Sequence, residues 1–516
     1  MRESDIVELY YTDMKNIYIT TTLPYVNAKP HIGFALEIVR ADTLARLQRL
    51  KGVEVFFNTG TDEHGLKIHR KAEEHGVGTQ EYVDGFAATF KALGELLHVD
   101  YTHFIRTTDA HHKAGAQEFW RRVDANGYIE KRNYQAKYCV GCELEKTESE
   151  LVDEKCELHP TYDIEYIDEE NYFFLFSKFG EKLLNFYEEN SDFVIPDFRY
   201  NEIKAFVKRG LKDFSISRVK EKMPWGVSVP GDEGHVMYVW FDALTNYITT
   251  LGWPDNTEQF ARFWGVAGDR QAIQLCGKDN LRQQTAMWQA MLMAADLPNS
   301  KQVFVGGFIT AEGQKMSKST GNVVDPFEVV ERYGTDPIRF FLLGGLSSYG
   351  DADWTKERFE EFYTAHLVNG IGNLTSRIVT MVEKYNDGKA PSVSPDVFAT
   401  QDFWKEYANT LEQFDFHGAV AHILVLVHQC DTHISQEKPW EVAKQGGSVD
   451  VMLYQYVECL RHIAYALLPI IPDTAERILS QIGSSGERLL DSGSLVWGGT
   501  IPGTAVKKEG ILFARI

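Results

Sequence analysis

The sequence predicts an α/β protein built on a doubly wound parallel sheet, interrupted by an insertion and followed by an all-helical region. Strand-like runs alternate with helical segments up to about Thr108, and they resume at residues 236–243 and 273–276. A hydrophilic segment with three clustered cysteines separates the two halves. Beyond Asp351, long amphipathic stretches replace the strands, which is typical of an antiparallel helical bundle.

Composition limits the possible classes of protein. With 516 residues, the chain is long enough for several domains, each with its own core. A net charge of −21 argues against indiscriminate nucleic-acid binding, although a local basic face could still bind RNA. The N-terminus is polar and no apolar run could span a bilayer, so we expect a cytoplasmic protein that does not enter a membrane. The scattered Cys276, Cys430 and Cys459 fit a reducing compartment.

The chain is organised around a predicted strand–turn–helix at residues 15–50. Residues 17–22 are mostly β-branched or aromatic and predict a buried strand, and an apolar helical repeat begins close to His31. A helix N-terminus at the carboxyl end of a strand presents free N–H groups that suit phosphate. Gly33 would let a base or ribose approach the backbone, and His31 could donate to a phosphate oxygen. By themselves, these residues fit an ordinary strand–helix turn equally well.

A second stretch, residues 313–322, has two lysines among small residues between glycines. Lys315 and Lys318 would place concentrated positive charge on a mobile loop, and the lysine ammonium suits phosphate. The spacing differs from that of a Walker loop. A solvated basic loop is the alternative.

Four residues have the spacing of a zinc knuckle. Cys139 and Cys142 form one pair with a two-residue gap, and Cys156 and His159 form another. Four ligands complete a tetrahedral shell, so we expect one structural Zn²⁺ rather than a catalytic one. Cysteines packed in a small core are the alternative, which the hydrophilic segment disfavours.

Other candidate residues have equally ordinary interpretations. Asp62 follows the second predicted strand and could pair with a substrate ammonium, or it could cap the next helix. Asn373 and Arg377 share a helical face and could contact base edges, while Trp440 could stack on a base. From spacing alone, a solvated face with a loop tryptophan is favoured.

Pro30-His31-Ile32-Gly33 and Lys315-Met316-Ser317-Lys318-Ser319 together resemble the two signatures of class I aminoacyl-tRNA synthetases. The chain is similar to the methionyl-tRNA synthetases of the single-zinc-knuckle type nearly end to end. The other similar stretches are residues 22–27, 59–65, 210–218, 238–243, 277–279, 373–377 and 438–440. This resemblance implies a Rossmann-type catalytic domain with an inserted zinc-knuckle connective peptide, followed by an anticodon-binding bundle.

The resemblance also implies domain boundaries and partners. The predicted parts are 1–118 and 229–305 for the two halves of the catalytic domain, 119–228 for the connective peptide, 306–350 for the junction with the lysine loop, and 351–516 for the bundle. The implied reaction joins L-methionine and Mg²⁺-bound ATP into methionyl-adenylate, then transfers methionine to the terminal adenosine of tRNA(Met). No additional tRNA-binding domain follows the bundle, so we expect a monomer.

Site residues follow from the same resemblance. The implied methionine pocket consists of Leu23, Tyr25, Asp62, Trp240, Ala243, Tyr247 and Gln284. The implied ATP site consists of His31, Gly33, Lys278, Asp279, Lys315 and Lys318, of which His31 and Lys318 are catalytic because they stabilise charge on the phosphates. Asn373, Arg377 and Trp440 would read the CAU anticodon.

Three positions depart from the family pattern. Phe34 replaces the usual histidine and should pack inward on the apolar helical stripe. Gln283-Gln284 replaces an aromatic–histidine pair, so a polar amide should weaken the apolar lining unless Gln284 points away or donates to the methionine sulfur. Gly306-Gly307 stands where relatives often have His-Gly, at a position of expected adenine contacts.

Two other functions remain possible from the sequence. A class I synthetase for cysteine would use a metal inside its amino-acid site, whereas the predicted zinc ligands lie in an insertion. A non-catalytic tRNA-binding relative would be marked by Phe34, although the intact lysine loop and Asp62 argue against that interpretation.

Overall fold

The structure is a computed structural model that describes residues 15–141, 144–146, 151–157, 162–315, 323–484, 488–490 and 495–516. Within these ranges, no helix combines the length and the apolar character needed to cross a membrane.

A six-stranded parallel sheet lies at the centre of the N-terminal half. Its strands are β1 (Asn16–Thr21), β2 (Glu54–Thr61), β3 (His103–Arg106), β4 (Val194–Ile195), β5 (Ala272–Gly277) and β6 (Gln302–Gly306). Their spatial order is β3-β2-β1-β5-β6-β4, and all neighbours are parallel. The strand order reverses between β1 and β5, and such sheets bind ligands in the crevice at that point. The predicted doubly wound parallel sheet is confirmed.

Both faces of this sheet are covered by helices. Ile17 and Ile19 of β1 enter a core shared with α1 (Ile32–Leu50), whereas Tyr18 enters the opposite core with the helices Ala110–Ala125 and Trp288–Ala294. The β-branched and aromatic run forms a strand because both of its faces are buried. The other helices here are Leu66–Glu74, Thr79–Leu96, Gly180–Glu189, Asp197–Lys208, Val239–Leu244, Asn246–Thr249 and Thr257–Phe263.

The insertion is mainly antiparallel. A four-stranded sheet has the order Phe214–Ser215, Glu165–Phe174, Ile129–Cys139 and Leu144–Lys146, and a hairpin joins Leu151–Val152 to Lys155–Cys156. A three-stranded sheet, in which Asp232–Met237 lies between Ser217–Val219 and Ser228–Val229, crosses the predicted end of the insertion. A second hairpin, Gly265–Val266 with Asp269–Arg270, belongs to the predicted second half of the catalytic domain. The predicted segment 119–228 does not stand wholly apart from the main sheet. It supplies the edge strand β4, which is only two residues long and gives no periodic signal.

A three-stranded junction sheet and a helical bundle complete the fold. Ile309–Ala311 pairs with Gln314–Lys315 and with Ala352–Trp354, so this sheet crosses the predicted boundary at residue 350. The helices that follow the loop and build the bundle are Pro326–Tyr333, Thr335–Gly344, Lys356–Phe362, Asn373–Tyr385, Thr400–Glu412, Phe416–Glu437, Pro439–Lys444, Asp450–Leu467 and Pro472–Gln481. The predicted helical character of the C-terminal region is confirmed from Lys356 onward, whereas Ala352–Trp354 is a strand of the junction sheet.

Candidate active site

The first turn of α1 lies at the carboxyl end of β1, and His31 at its start carries a hydrogen-bond donor that could bind an anion. His31 caps the helix with extended backbone, and its Nδ1 accepts the Gly33 N–H at 3.1 Å. Since Nδ1 is an acceptor, the proton of the neutral ring lies on Nε2. Desolvation lowers the pKa of His31, and the nearby Asp279 carboxylate opposes this shift. His31 is therefore a neutral hydrogen-bond donor near pH 7.

Glu37 lies behind this turn and was missed by sequence reasoning. Its Oε1 accepts the Thr22 N–H at 2.8 Å, immediately after β1. Burial raises the pKa of Glu37 to about 8, so the carboxyl group is largely protonated at neutral pH. The sequence does contain a sign that Glu37 is buried. It lies three residues after Phe34 and four before Ala41, and so on the apolar stripe of the helix.

The turn after β5 is joined to the junction sheet by an ion pair. Lys278 Nζ lies 2.8 and 2.6 Å from the two carboxylate oxygens of Asp351, and 4.4 Å from the centre of the Phe308 ring. The Phe308 N–H also donates to Asp351, at 2.9 Å. Asp351 precedes the strand Ala352–Trp354, so it connects Lys278 to the sheet from which the lysine loop leaves.

The segment that follows the lysine loop contacts the first turn of α1. Lys318 lies outside the described residues, and Lys315 is described as the last residue of the strand Gln314–Lys315. On the other side of the loop, Val324 accepts the Ile32 N–H at 3.1 Å. Ile32 follows His31 directly, so the segment returning from the loop contacts the first turn of α1.

Tyr25 and Asp62 are joined through their backbones beyond the ends of β1 and β2. They form a parallel bridge, in which Val26 N–H donates to Asp62 at 3.1 Å and Asp62 N–H donates to Pro24 at 3.0 Å. Leu23 and Asp62 are both 7% exposed. Three of the predicted methionine-pocket residues thus lie together at the mouth of the crevice.

Trp240 and Ala243 complete this group from the second half of the sheet. Together with Tyr25 they belong to one small apolar cluster, which also includes Tyr138 and Val140. Tyr138 and Val140 flank Cys139 in the insertion. The insertion therefore forms one wall of the predicted amino-acid pocket.

Tyr247 and Gln284 are hydrogen-bonded to each other. Gln284 is 1% exposed, its Nε2 donates to the Tyr247 hydroxyl, and its Oε1 accepts from Gln274 Nε2 at 3.0 Å. We expected a polar amide to weaken the apolar lining. In the structure the polar atoms of Gln284 are paired within the protein, whereas the buried Oε1 of the neighbouring Gln283 has no hydrogen-bond partner among the described residues.

The other two departures also have a structural basis. The Phe34 ring packs edge-on against Phe90, with 5.1 Å between ring centres, so its predicted inward packing is confirmed. At Gly306, a Cβ would lie 3.0 Å from Arg40 Nη1. At Gly307, a Cβ would lie 2.2 Å from the Gly350 backbone, so this close approach requires glycine.

A buried chain of polar side chains supports the pocket and was also missed. Asp242 lies 2.9 Å from His64 Nδ1 and 3.2 Å from His112 Nε2, and His112 Nδ1 lies 2.9 Å from Thr249 Oγ1. Burial opposes ionisation of Asp242, but the two histidines outweigh it and lower its pKa. Burial lowers the pKa of His112. Because His64 follows Asp62 by two residues, this chain fixes the loop after β2.

Two of the four predicted zinc ligands lie in the described part of the insertion. Cys139 and Cys156 are buried at the ends of their strands, whereas Cys142 and His159 lie outside the described residues. Among the described residues, no group of three or more His, Cys, Asp or Glu side chains could hold a metal. Buried thiols in a polar segment fit the donor set that Zn²⁺ prefers.

The predicted anticodon residues share one surface of the bundle. The Arg377 guanidinium lies 5.3 Å from the centre of the Trp440 ring and 2.7 Å from an Asp431 carboxylate oxygen. Trp440 is 38% exposed, and Asn373 is exposed one turn before Arg377. The structure therefore brings together an aromatic face, a cation and an amide.

Comparison with known proteins identifies the class. The family model described as tRNA synthetases class I (M) matches residues 17–156 and 141–379. Mycobacterium tuberculosis methionyl-tRNA synthetase in complex with methionyl-adenylate is 36% identical and has a TM-score of 0.90, covering 97% of this chain and all of that one. The apo form of the enzyme is 32% identical with a TM-score of 0.84, over 98% and 99% of the two chains. The fold and cleft are those of a class I tRNA synthetase.

Sequence relatives define the family within that class. The methionine–tRNA ligase of Caldanaerobacter subterraneus subsp. tengcongensis is 42% identical over 97% of this chain and 79% of that protein. The methionine–tRNA ligase of Thermosynechococcus vestitus is 41% identical over 90% of each. The chain belongs to the methionine–tRNA ligases.

Proposed function

We propose that the chain activates L-methionine with ATP and transfers it to tRNA(Met) in the cleft between β1 and β5. The observation that carries this proposal is the hydrogen bond between Ile32 and Val324, because it brings the segment that follows the lysine loop against the first turn of α1, next to His31. The methionyl-adenylate bound to the Mycobacterium tuberculosis relative supports the same pair of substrates.

In the first step, the methionine carboxylate attacks the α-phosphate of ATP and pyrophosphate leaves. Asp62 holds the substrate ammonium at the pocket mouth, and Tyr25, Trp240 and Ala243 cover the side chain. No protein nucleophile is needed, so catalysis comes from positioning and from charge stabilisation. His31 donates through Nε2 to a phosphate oxygen, and removal of such a donor costs about 3–4 kcal/mol.

The remaining nucleotide contacts come from the two turns and the loop. Gly33 exposes the backbone of α1 to the nucleotide, Lys278 and Asp279 approach from β5, and Lys315 and Lys318 supply positive charge. Mg²⁺ enters with ATP and neutralises phosphate charge when bound.

A structural Zn²⁺ in the insertion is part of the proposal. Cys139, Cys142, Cys156 and His159 would hold it and so fix the strand that ends beside the amino-acid pocket. The bundle would recognise the anticodon through Asn373, Arg377 and Trp440, with the tryptophan stacking on a base. We keep a cytoplasmic monomer as the predicted form.

Amino-acid-dependent exchange of pyrophosphate into ATP tests this function. We expect exchange with methionine and none with the other amino acids. Lys318→Ala should depress exchange severely and leave tRNA binding largely intact, while Lys405→Ala, an exposed lysine on the bundle, is the control. Exchange that depends on cysteine would establish the other synthetase, and no exchange with any amino acid would favour a tRNA-binding protein.

A further inference from the structure

The loop that follows β2, residues 62–65, is held by a side chain of the predicted insertion. Trp225 Nε1 donates to the Glu63 carbonyl at 2.6 Å, and the Trp225 carbonyl accepts the Gly65 N–H at 3.4 Å. The indole also contacts the His64 ring, with 5.8 Å between the ring centres. Trp225 is 162 residues from Glu63 in sequence, so these contacts join the insertion to the carboxyl end of the main sheet.

The backbone around Asp62 is hydrogen-bonded residue by residue. Asp62 is bonded through its own backbone to the segment that follows β1. The Glu63 N–H donates to the buried Thr107 Oγ1 at 2.9 Å, just after β3. The Glu63 carbonyl is the next polar group along the chain, and Trp225 donates to it. Loss of this donor would therefore loosen the peptide directly after Asp62.

Trp225 is itself held against the part of the chain that leads to the amino-acid pocket. Its ring packs on the small apolar core beside the loop. At Gly226, a Cβ would lie 3.3 Å from the Met237 carbonyl oxygen, so this segment lies close against the strand Asp232–Met237. That strand runs into the helix Val239–Leu244, which carries two of the predicted pocket residues. Trp225 thus joins the loop after β2 to the segment that builds the opposite wall of the pocket.

We propose that Trp225 is a positioning residue that holds Asp62 in place for the ammonium group of methionine. The inference rests on the proposed function, which assigns this ammonium to Asp62. Trp225 acts through the Glu63 peptide rather than on the substrate. The attraction between a carboxylate and an ammonium falls with their separation, so a displaced Asp62 binds methionine more weakly. The nucleotide contacts come from α1 and β5 and are not changed by this displacement.

Methionine-dependent pyrophosphate exchange by Trp225→Phe tests this role. The variant keeps an aromatic ring and removes the N–H. We expect the KM for methionine to rise about 3–10-fold, the range for one neutral hydrogen bond, while kcat and the KM for ATP stay unchanged. The matched control is Trp497→Phe, because Trp497 Nε1 also donates to a backbone carbonyl, that of Ser394 in the bundle, at 2.7 Å. Its KM for methionine should equal that of the unmodified protein.

Trp225→His separates the hydrogen bond from the packing of the ring. Relative to Cα, the imidazole Nε2 occupies the place of the indole Nε1, so its N–H can donate to the same carbonyl although the benzene part of the ring is lost. At about pH 8, where the imidazole is neutral, this variant should keep the KM for methionine close to that of the unmodified protein. An equal rise of KM in the phenylalanine and histidine variants would mean that Trp225 acts by packing alone, and would overturn the proposal.

Two substrate analogues locate the loss at the ammonium. L-Methioninol keeps the ammonium and lacks the carboxylate, so its inhibition constant should rise in Trp225→Phe by the same factor as the KM for methionine. L-Ethionine keeps the ammonium and has a longer side chain, so the ratio of kcat/KM for methionine to that for ethionine should not change. A changed ratio would show that the side-chain pocket is deformed, and would contradict a role through Asp62.

The remaining outcomes distinguish this inference from the proposed function. If Trp225→Phe does not fold, Trp225→Tyr takes its place, since it also lacks an N–H at this position, and the same rise of KM is expected. An unchanged KM for methionine in the folded variant refutes the inference even though methionine activation persists. Absence of methionine-dependent exchange in the unmodified protein would instead contradict the proposed function.

Discussion

Replacement of Glu37 by glutamine should change how the stability of this protein depends on pH. Glutamine keeps the volume and can still accept the Thr22 N–H, but it does not titrate. Burial raises the pKa of Glu37 from 4.5 to about 8, and Asp279 raises it further while the Thr22 contacts and Arg40 lower it. Between these pH values the folded chain retains a proton that the unfolded chain releases. The free energy of unfolding of the unmodified protein therefore falls as pH rises through this window.

The structure sets the size of the effect. The interval from 4.5 to about 8, at about 1.36 kcal/mol per pH unit, gives an upper limit of about 5 kcal/mol. The Glu37 side chain is only partly exposed, and the remaining contact with solvent reduces the expected change to about 2–3 kcal/mol. The free energy of unfolding of Glu37→Gln, minus that of the unmodified protein, should therefore increase by about 2–3 kcal/mol between pH 5 and pH 8.5.

Urea unfolding followed by tryptophan fluorescence at pH 5.0, 6.5 and 8.5 measures this difference. The same substitution at the exposed Glu81 is the control and should follow the unmodified protein at each pH. A difference between Glu37→Gln and the unmodified protein that stays constant across this range would refute a protonated Glu37 beneath the turn.

Four further outcomes follow from the structure. Trp440→Ala should weaken tRNA charging and spare adenylate formation, and equal loss of both would contradict an anticodon role. Asp351→Asn should release Lys278 and raise the KM for ATP a few-fold. The thermal midpoint should change little, because a partly exposed ion pair contributes about 1 kcal/mol or less. A fall in KM would mean that Asp351 competes with phosphate. Arg339→Met should lower the free energy of unfolding by about 3 kcal/mol, because it leaves Asp42 buried with one partner fewer. The unfolding midpoints of the variant and of the unmodified protein measure this loss. Chelation should release one zinc and lower the stability of the insertion, and metal analysis of the purified chain measures the content.

Features with a local signal could be predicted from the sequence. The strand β1 could be predicted from its β-branched and aromatic run, and in the structure both of its faces are buried. The inward packing of Phe34 followed from its place on the apolar stripe of the helix. The two-residue strand β4 could not be predicted, because its pairing with β6 depends on neighbours more than 100 residues away in sequence.

The polar contacts that support the site could not be predicted either, because they also join residues that are far apart in sequence. Lys278 and Asp351 are 73 residues apart, and His64 and Asp242 are 178 apart. Each of these residues has an ordinary surface interpretation when considered alone. Only the folded chain shows that Asp242 is buried between two histidines, where an unpaired carboxylate would be costly. The sequence thus predicted candidate substrate-contacting groups more readily than the groups that hold them in place.

The helix α1 links the nucleotide cleft to the bundle through buried charge. His31 begins this helix, Arg40 in its middle lies 5.6 Å from a bundle ring, and Asp42 pairs with Arg339 at 2.8 Å. Arg339 also donates to the Ile470 carbonyl of the bundle at 2.8 Å. Desolvation offsets much of the attraction in such pairs, so their main consequence is a defined orientation rather than added stability. Since α1 begins beside His31, the proposed hydrogen-bond donor to phosphate, a shift of the bundle on binding the proposed tRNA would act on the cleft through this helix.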